Sequence, residues 1–147
     1  MKLLDTDETI VLVTGSGEAA IERDRPLALW LQAEIDRRGD GQAYRRAVVT
    51  DDVWYLESGV LHQHPTIAIG GPGVNEVTQQ FAPTLPTIFN DDERVYVQAD
   101  FEGEVKRAGL WGADAAATSA AVDAFVVHGH LDELLKRIWR FRTEMMV

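Results

Sequence analysis

Residues able to do chemistry gather at two glycine turns and in a few short groups of acids and histidines. The first turn, Gly15-Ser16-Gly17-Glu18-Ala19-Ala20, follows an apolar run and fits the spacing of a dinucleotide fingerprint, in which glycines let the backbone approach a pyrophosphate at a helix start. Three features oppose that chemistry. Pro26 and its neighbours place the next helix later than Gly17, Glu18 and Glu22 put negative charge near the phosphates, and Asp51 stands well beyond the roughly 20 residues expected for a ribose-binding acid. A strand-end turn is therefore the preferred reading. No lysine follows these glycines as phosphate-loop hydrolysis requires, and Ser16 lacks the G-x-S-x-G elbow of a nucleophilic serine. His62 and His64 would share one face of a strand and could ligate a metal with Asp51 or Asp52, but His-Gln-His beside Pro65 reads as an exposed loop, and no metal is assigned. Asp51-Asp52 and Asp91-Asp92-Glu93 could act as general bases or hold a hard cation, and neither group identifies a reaction. His128 is read as stabilising the end of the helix before it.

The second turn, Gly70-Gly71-Pro72-Gly73-Val74-Asn75, is the most distinctive stretch. Its glycines permit a sharp passage from strand to helix, with Pro72 near the helix start. Ile69 to Thr78 resembles the GGPxxN strand-turn-helix segment of archaeal surface-layer proteins and related α/β domains. Gly112 to Ala121 resembles the same group's G-x-D-A-x-x-T-x-x-A helix start. The two segments keep the group's order and cover about a seventh of the chain. The resemblance implies that Asn75 ties the glycine turn together and that Asp114 or Thr118 braces the neighbouring loop. It implies a stand-alone version of the module, because no export signal, stalk or anchor is visible.

The elements that must position these residues follow from pattern. Thr9 to Thr14 is a β-branched run of the kind buried on both sheet faces. Leu27, Leu31 and Ile35 recur every four residues in a helix from Arg25 to Arg38, with Asp24 placed to cap it and Gly39 to close it. Ala47 to Thr50 completes a βαβ unit, and Thr66 to Ile69 is a third strand. Val53 to Pro65 stays open between irregular helix and loop. Val74 to Ala82 reads as a short helix and Ile88-Phe89 as a brief strand. Arg94 to Phe101 and Glu104 to Trp111 read as a hairpin turning at Glu102-Gly103. Ala113 to Val127 and Leu131 to Phe141 read as helices separated at Gly129.

Composition sets outer bounds. At 147 residues with 46% hydrophobic content, the chain can build one core without staples, and the absence of cysteine removes disulfides, thiolate metal sites and cysteine nucleophiles. A formal charge of −10 argues against nucleic-acid and anionic-membrane partners, and Arg137, Arg140 and Arg142 read as a solvated helix face among Asp132, Glu133 and Glu144. No apolar run is long enough for a membrane span, and a cytoplasmic location is expected.

The expected fold is one α/β domain, a three-layer α/β/α sandwich with a Rossmann-like, mostly parallel sheet and an added antiparallel hairpin. The expected function is a non-catalytic binding or assembly module that forms a homo-oligomer, with some of Trp30, Trp54, Trp111 and Trp139 in the core and one or two at a subunit contact. The alternative is a small-molecule or nucleotide-binding protein, or an enzyme, using a strand-end crevice built from Gly15, Ser16, Gly17, Asp51, Asp52, Gly70, Gly71 and Asn75.

Overall fold

The computed structural model describes residues 4–145, with side chains as far as Trp139. The β-branched run forms β1 (Ile10–Thr14), every residue of which is buried. It lies between β2 (Ala47–Asp51) and β3 (Thr66–Ile69), both parallel to it. β6 (Arg107–Gly112) continues the parallel part, while β5 (Val95–Asp100) runs antiparallel to β6, and β4 (Thr87–Asp91) antiparallel to β5. The result is an α/β fold on one six-stranded mixed sheet of order β2-β1-β3-β6-β5-β4.

The period of two along β1 sends its side chains to two separate cores. Ile10 and Leu12 pack in a cluster with Leu31 and Ile35 of α2 (Arg25–Gly39) and Phe125 of α5 (Ala115–Val127). Leu131 and Trp139 of α6 (His130–Met145) join the same cluster. Val11 and Val13 pack instead with Tyr55 of α3 (Asp52–Glu57) and with Val77 and Phe81 of α4 (Glu76–Phe81). Each cluster seals one side of β1, which explains why its sequence is continuously apolar rather than alternating.

Several expectations are corrected. A helix does follow the first glycine turn at once: α1 (Glu18–Arg23) starts after Gly17, and Asp24 separates it from α2. Asp24 makes no side-chain capping bond. The open segment after β2 is helical, as α3 and a 3-10 turn over Gly59–Gln63. Val74 lies outside α4 and is exposed, because Asn75 caps that helix. The hairpin turns through 101–106 rather than tightly at Glu102-Gly103, since β6 begins only at Arg107. Ile88-Phe89 belongs to a full edge strand, β4.

Helix α6 is tied through Trp139 to the segments that lead into β1 and β2. Arg45 pairs with Glu8 at 2.8 Å, donates to the Trp139 carbonyl at 2.6 Å and lies over the Trp139 ring. The Trp139 indole N–H donates to the Glu8 carbonyl at 2.9 Å, closing the loop of contacts. Arg137 pairs with Glu102 and Glu133, and Asp132 with Arg38, so this part of the arginine group is a solvated face. The side chains of Arg140, Arg142 and Glu144 lie outside the described residues. Among the described residues, no helix is long and apolar enough to cross a membrane.

Candidate functional site

The parallel strands β1, β2 and β3 end side by side, so the turns after Thr14, Asp51 and Ile69 meet at one edge of the sheet. The chain crosses from β2 over β1 to β3, making the gap between β1 and β3 a topological switch point, where open α/β sheets commonly bind ligands. Here that gap is closed by the protein itself. Gly15 is buried, and a methyl group built on it would lie 1.9 Å from the Val74 carbonyl oxygen and 2.8 Å from Ala20 Cβ. Only glycine allows the two turns to approach so closely.

Asn75 locks the closure. Its side-chain N–H groups donate to the carbonyls of Val13 at 3.0 Å and Ile69 at 2.9 Å, joining the ends of β1 and β3. Its oxygen accepts from Val77 N and Thr78 N, capping α4. Asp52 does comparable work beside it: one carboxylate oxygen accepts from Val53 N and the other from Glu76 N, tying the start of α3 to the start of α4. Gly71 approaches the Gly112 carbonyl, and Gly112 N in turn donates to the Thr118 hydroxyl. Asp114 caps α5 through Ala117 N and pairs with Arg94; the Ala117 backbone N–H, and after it the Arg94 guanidinium, hold its carboxyl below the usual range. These polar groups are occupied in holding loops.

The buried Thr78 hydroxyl has no hydrogen-bond partner among the described residues, and a second exception is Asp24. It is 5% exposed at the junction of α1 and α2, and no hydrogen bond to its carboxylate is formed among the described residues. Gly70, at φ +111°, brings its Cα beside this group; a methyl group there would sit 2.6 Å from Asp24 Oδ2. Burial pushes the Asp24 carboxyl up to about 6, and the charge of Arg23 offsets part of that rise.

An open crevice of about 340 Å³ remains on the other side of β1, between the ends of β1 and β2. Thr14, Gly15, Ser16, Val49, Thr50 and Asp51 come to it from the two strands and their turns, Ile21 and Arg25 from α1 and α2, and Trp54 from α3. Of the eight nominated residues, the structure brings Gly15, Ser16 and Asp51 to this crevice. Gly17 lies next to them as the exposed start of α1, while Asp52, Gly70, Gly71 and Asn75 belong to the closed side. Asp51 accepts from Trp54 N through Oδ1, and Oδ2 is unused among the described residues. Arg25, Ile21 and Trp54 carry no strand-end signature, and sequence reasoning missed them. The Arg-Asp-Arg-Pro run at 23–26, which must interrupt a helix where Pro26 lacks its N–H, was the available signal.

The histidines do not converge. His62 bonds the Tyr55 carbonyl at 2.7 Å, and His64, buried, bonds the Thr9 carbonyl at 3.0 Å. His128 caps α5 through its backbone and packs on Phe89. The acids at 91–93 form the β4–β5 turn, with Asp92 and Glu93 at positive φ and Asn90 accepting from Glu93 N. No group of three or more potential metal ligands forms among the described residues.

Fold and site together define a small α/β protein with a self-closed switch point and an open crevice beside it. Its sequence matches no protein-family model, and no curated protein matches it.

Proposed function

We propose that this chain is a non-catalytic binding or assembly module that acts as a homo-oligomer, built as a three-layer α/β/α sandwich of Rossmann-like type. The two cores on opposite sides of β1 support the layered description. The observation that carries the functional reading is the closed switch point: the place where a sheet of this order would expose reactive groups is filled by the Val74 carbonyl and the Asn75 side chain. The resemblance of the 69–78 and 112–121 segments to surface-layer-type domains fits this architectural use of the glycine turn. Leu29 and Trp30 of α2, 48% and 44% exposed, supply a self-association surface; Trp111 and Trp139 are spent on internal packing.

The test is sedimentation equilibrium with and without Trp30→Glu. A dimer that dissociates in the variant is the expected result, and a monomer at all concentrations overturns the homo-oligomer.

A second reading, small-molecule binding, is favoured by one specific observation: the crevice between β1 and β2 is open, and its Arg25 and Ser16 side chains make no hydrogen bond or ion pair among the described residues. Thermal shifts with a metabolite panel test it, since a ligand that binds the native state raises the unfolding midpoint.

A further inference from the structure

The ligand class of that crevice follows from which groups are left uncommitted in its walls; the inference rests on the small-molecule reading. Only two of the lining residues carry formal charge, Arg25 and Asp51, so the lining is neutral overall. The Arg25 guanidinium is unpaired among the described residues and suits a carboxylate, which it can hold with two parallel N–H donors. Asp51 Oδ2 is an unused acceptor, its partner oxygen being fixed by Trp54 N. The Trp54 side chain is 62% exposed and Ile21 49% exposed, giving the crevice an apolar face without a partner. Ser16 adds an exposed hydroxyl.

A phosphate ester would place close to two negative charges opposite one arginine, with Asp51 in the same lining and Glu18 and Glu22 on the helix that supplies Ile21. A ligand with one carboxylate and one ammonium brings no net charge and satisfies both walls. A volume of about 340 Å³ also lies at the small end of ligand sites. We infer that the crevice between β1 and β2 binds a free α-amino acid with a flat or bulky apolar side chain, its carboxylate on Arg25, its ammonium on Asp51 and its side chain against Trp54 and Ile21.

Calorimetric titration of the full chain with L-phenylalanine and L-tryptophan tests this, beside L-phenylalaninamide, N-acetyl-L-phenylalanine and adenosine monophosphate. Saturable binding of the free amino acid is expected, weakened about tenfold or more by Arg25→Gln, by Asp51→Asn and by blocking either ligand terminus. Asparagine caps helices as well as aspartate, so Asp51→Asn keeps the fold while removing the charge. Binding of adenosine monophosphate without the amino acids overturns the ligand class and leaves the small-molecule reading standing. Silence across all five compounds overturns the amino-acid site, and silence across the thermal-shift metabolite panel as well overturns the small-molecule reading. Amino-acid binding that neither variant weakens overturns the site.

Discussion

Replacing Asn75 by alanine removes four hydrogen bonds in one step, at a position 1% exposed. Two of them cap α4, and losing such a cap costs about 1 kcal/mol. The other two join the Val13 and Ile69 carbonyls, at about 1 kcal/mol each when the freed group stays buried. The expected loss is about 3 kcal/mol, a large share of the 5–15 kcal/mol typical of a domain. Urea unfolding reads it as a midpoint lowered by about 1.5 M at an m-value near 2 kcal/mol/M, with the slope unchanged. A loss under about 1 kcal/mol would refute the claim that Asn75 holds the two turns together. Asn75→Asp separates the two halves of the side chain's work, since aspartate still caps but sets a carboxylate against two carbonyls. Burial then raises its folded pKa above the unfolded value of about 3.9, so the variant is most stable below that pH and loses stability as pH rises through the folded pKa. Asn75→Ala adds no such slope.

Gly15→Ala should cost about 2 kcal/mol or more, because the new methyl meets the Val74 carbonyl at 1.9 Å, whereas Gly17→Ala, with nothing within 4 Å, should stay within about 0.5 kcal/mol by the same unfolding assay. The raised Asp24 pKa makes the wild type lose stability as pH rises from 3.8 towards about 6, by at most about 3 kcal/mol. Asp24→Asn should flatten that part of a stability-versus-pH curve and stabilise the protein at pH 7; an unchanged curve counts against the burial argument. Arg45→Met removes the 2.8 Å charge-assisted bond to Glu8 and the 2.6 Å bond to the Trp139 carbonyl and should lower stability by about 2 kcal/mol, read as a fall in Tm.

Much of the strand pattern was legible because β1 and β3 are buried on both faces and therefore continuously apolar. The hairpin was legible for a related reason, two β-rich runs flanking a polar, glycine-containing stretch. The structural use of Asn75 was also foreseeable, since an asparagine after a glycine turn and before an apolar helix is a capping signal. What escaped was set by contacts distant in sequence. α1 is six residues long, too short for a periodic pattern, and Pro26 drew attention to the longer helix behind it. Asp24 looked like a cap from its position; its burial depends on Gly70, 46 residues further on, arriving with positive φ at the end of β3. The extent of the crevice escaped for the same reason: Gly15, Ser16 and Asp51 line it, while Gly70, Gly71 and Asn75 lie on the other side of β1. Sequence shows that three turns share an edge, but which gap stays open depends on the path of the 70–75 backbone across Gly15.

The division between the two gaps has a physical logic. A loop crossing the end of a parallel sheet must satisfy its own backbone polar groups, and the 70–78 segment uses Asn75, Asp52 and close glycine packing for this, while the buried Thr78 hydroxyl has no partner among the described residues. The Asn75 side chain is thereby fixed by stability, with both its N–H groups and its oxygen already used. On the β2 side Ser16, Arg25 and Asp51 line the open crevice, and the Ser16 hydroxyl, the Arg25 guanidinium and Asp51 Oδ2 make no hydrogen bond among the described residues, beside Trp54, which is 62% exposed. Groups whose removal costs folding energy and groups available for recognition are thus separated across a single strand, β1. That separation gives the binding reading its location and the architectural reading its mechanism, because the same glycine turn that shuts one gap leaves the wall of the other in place.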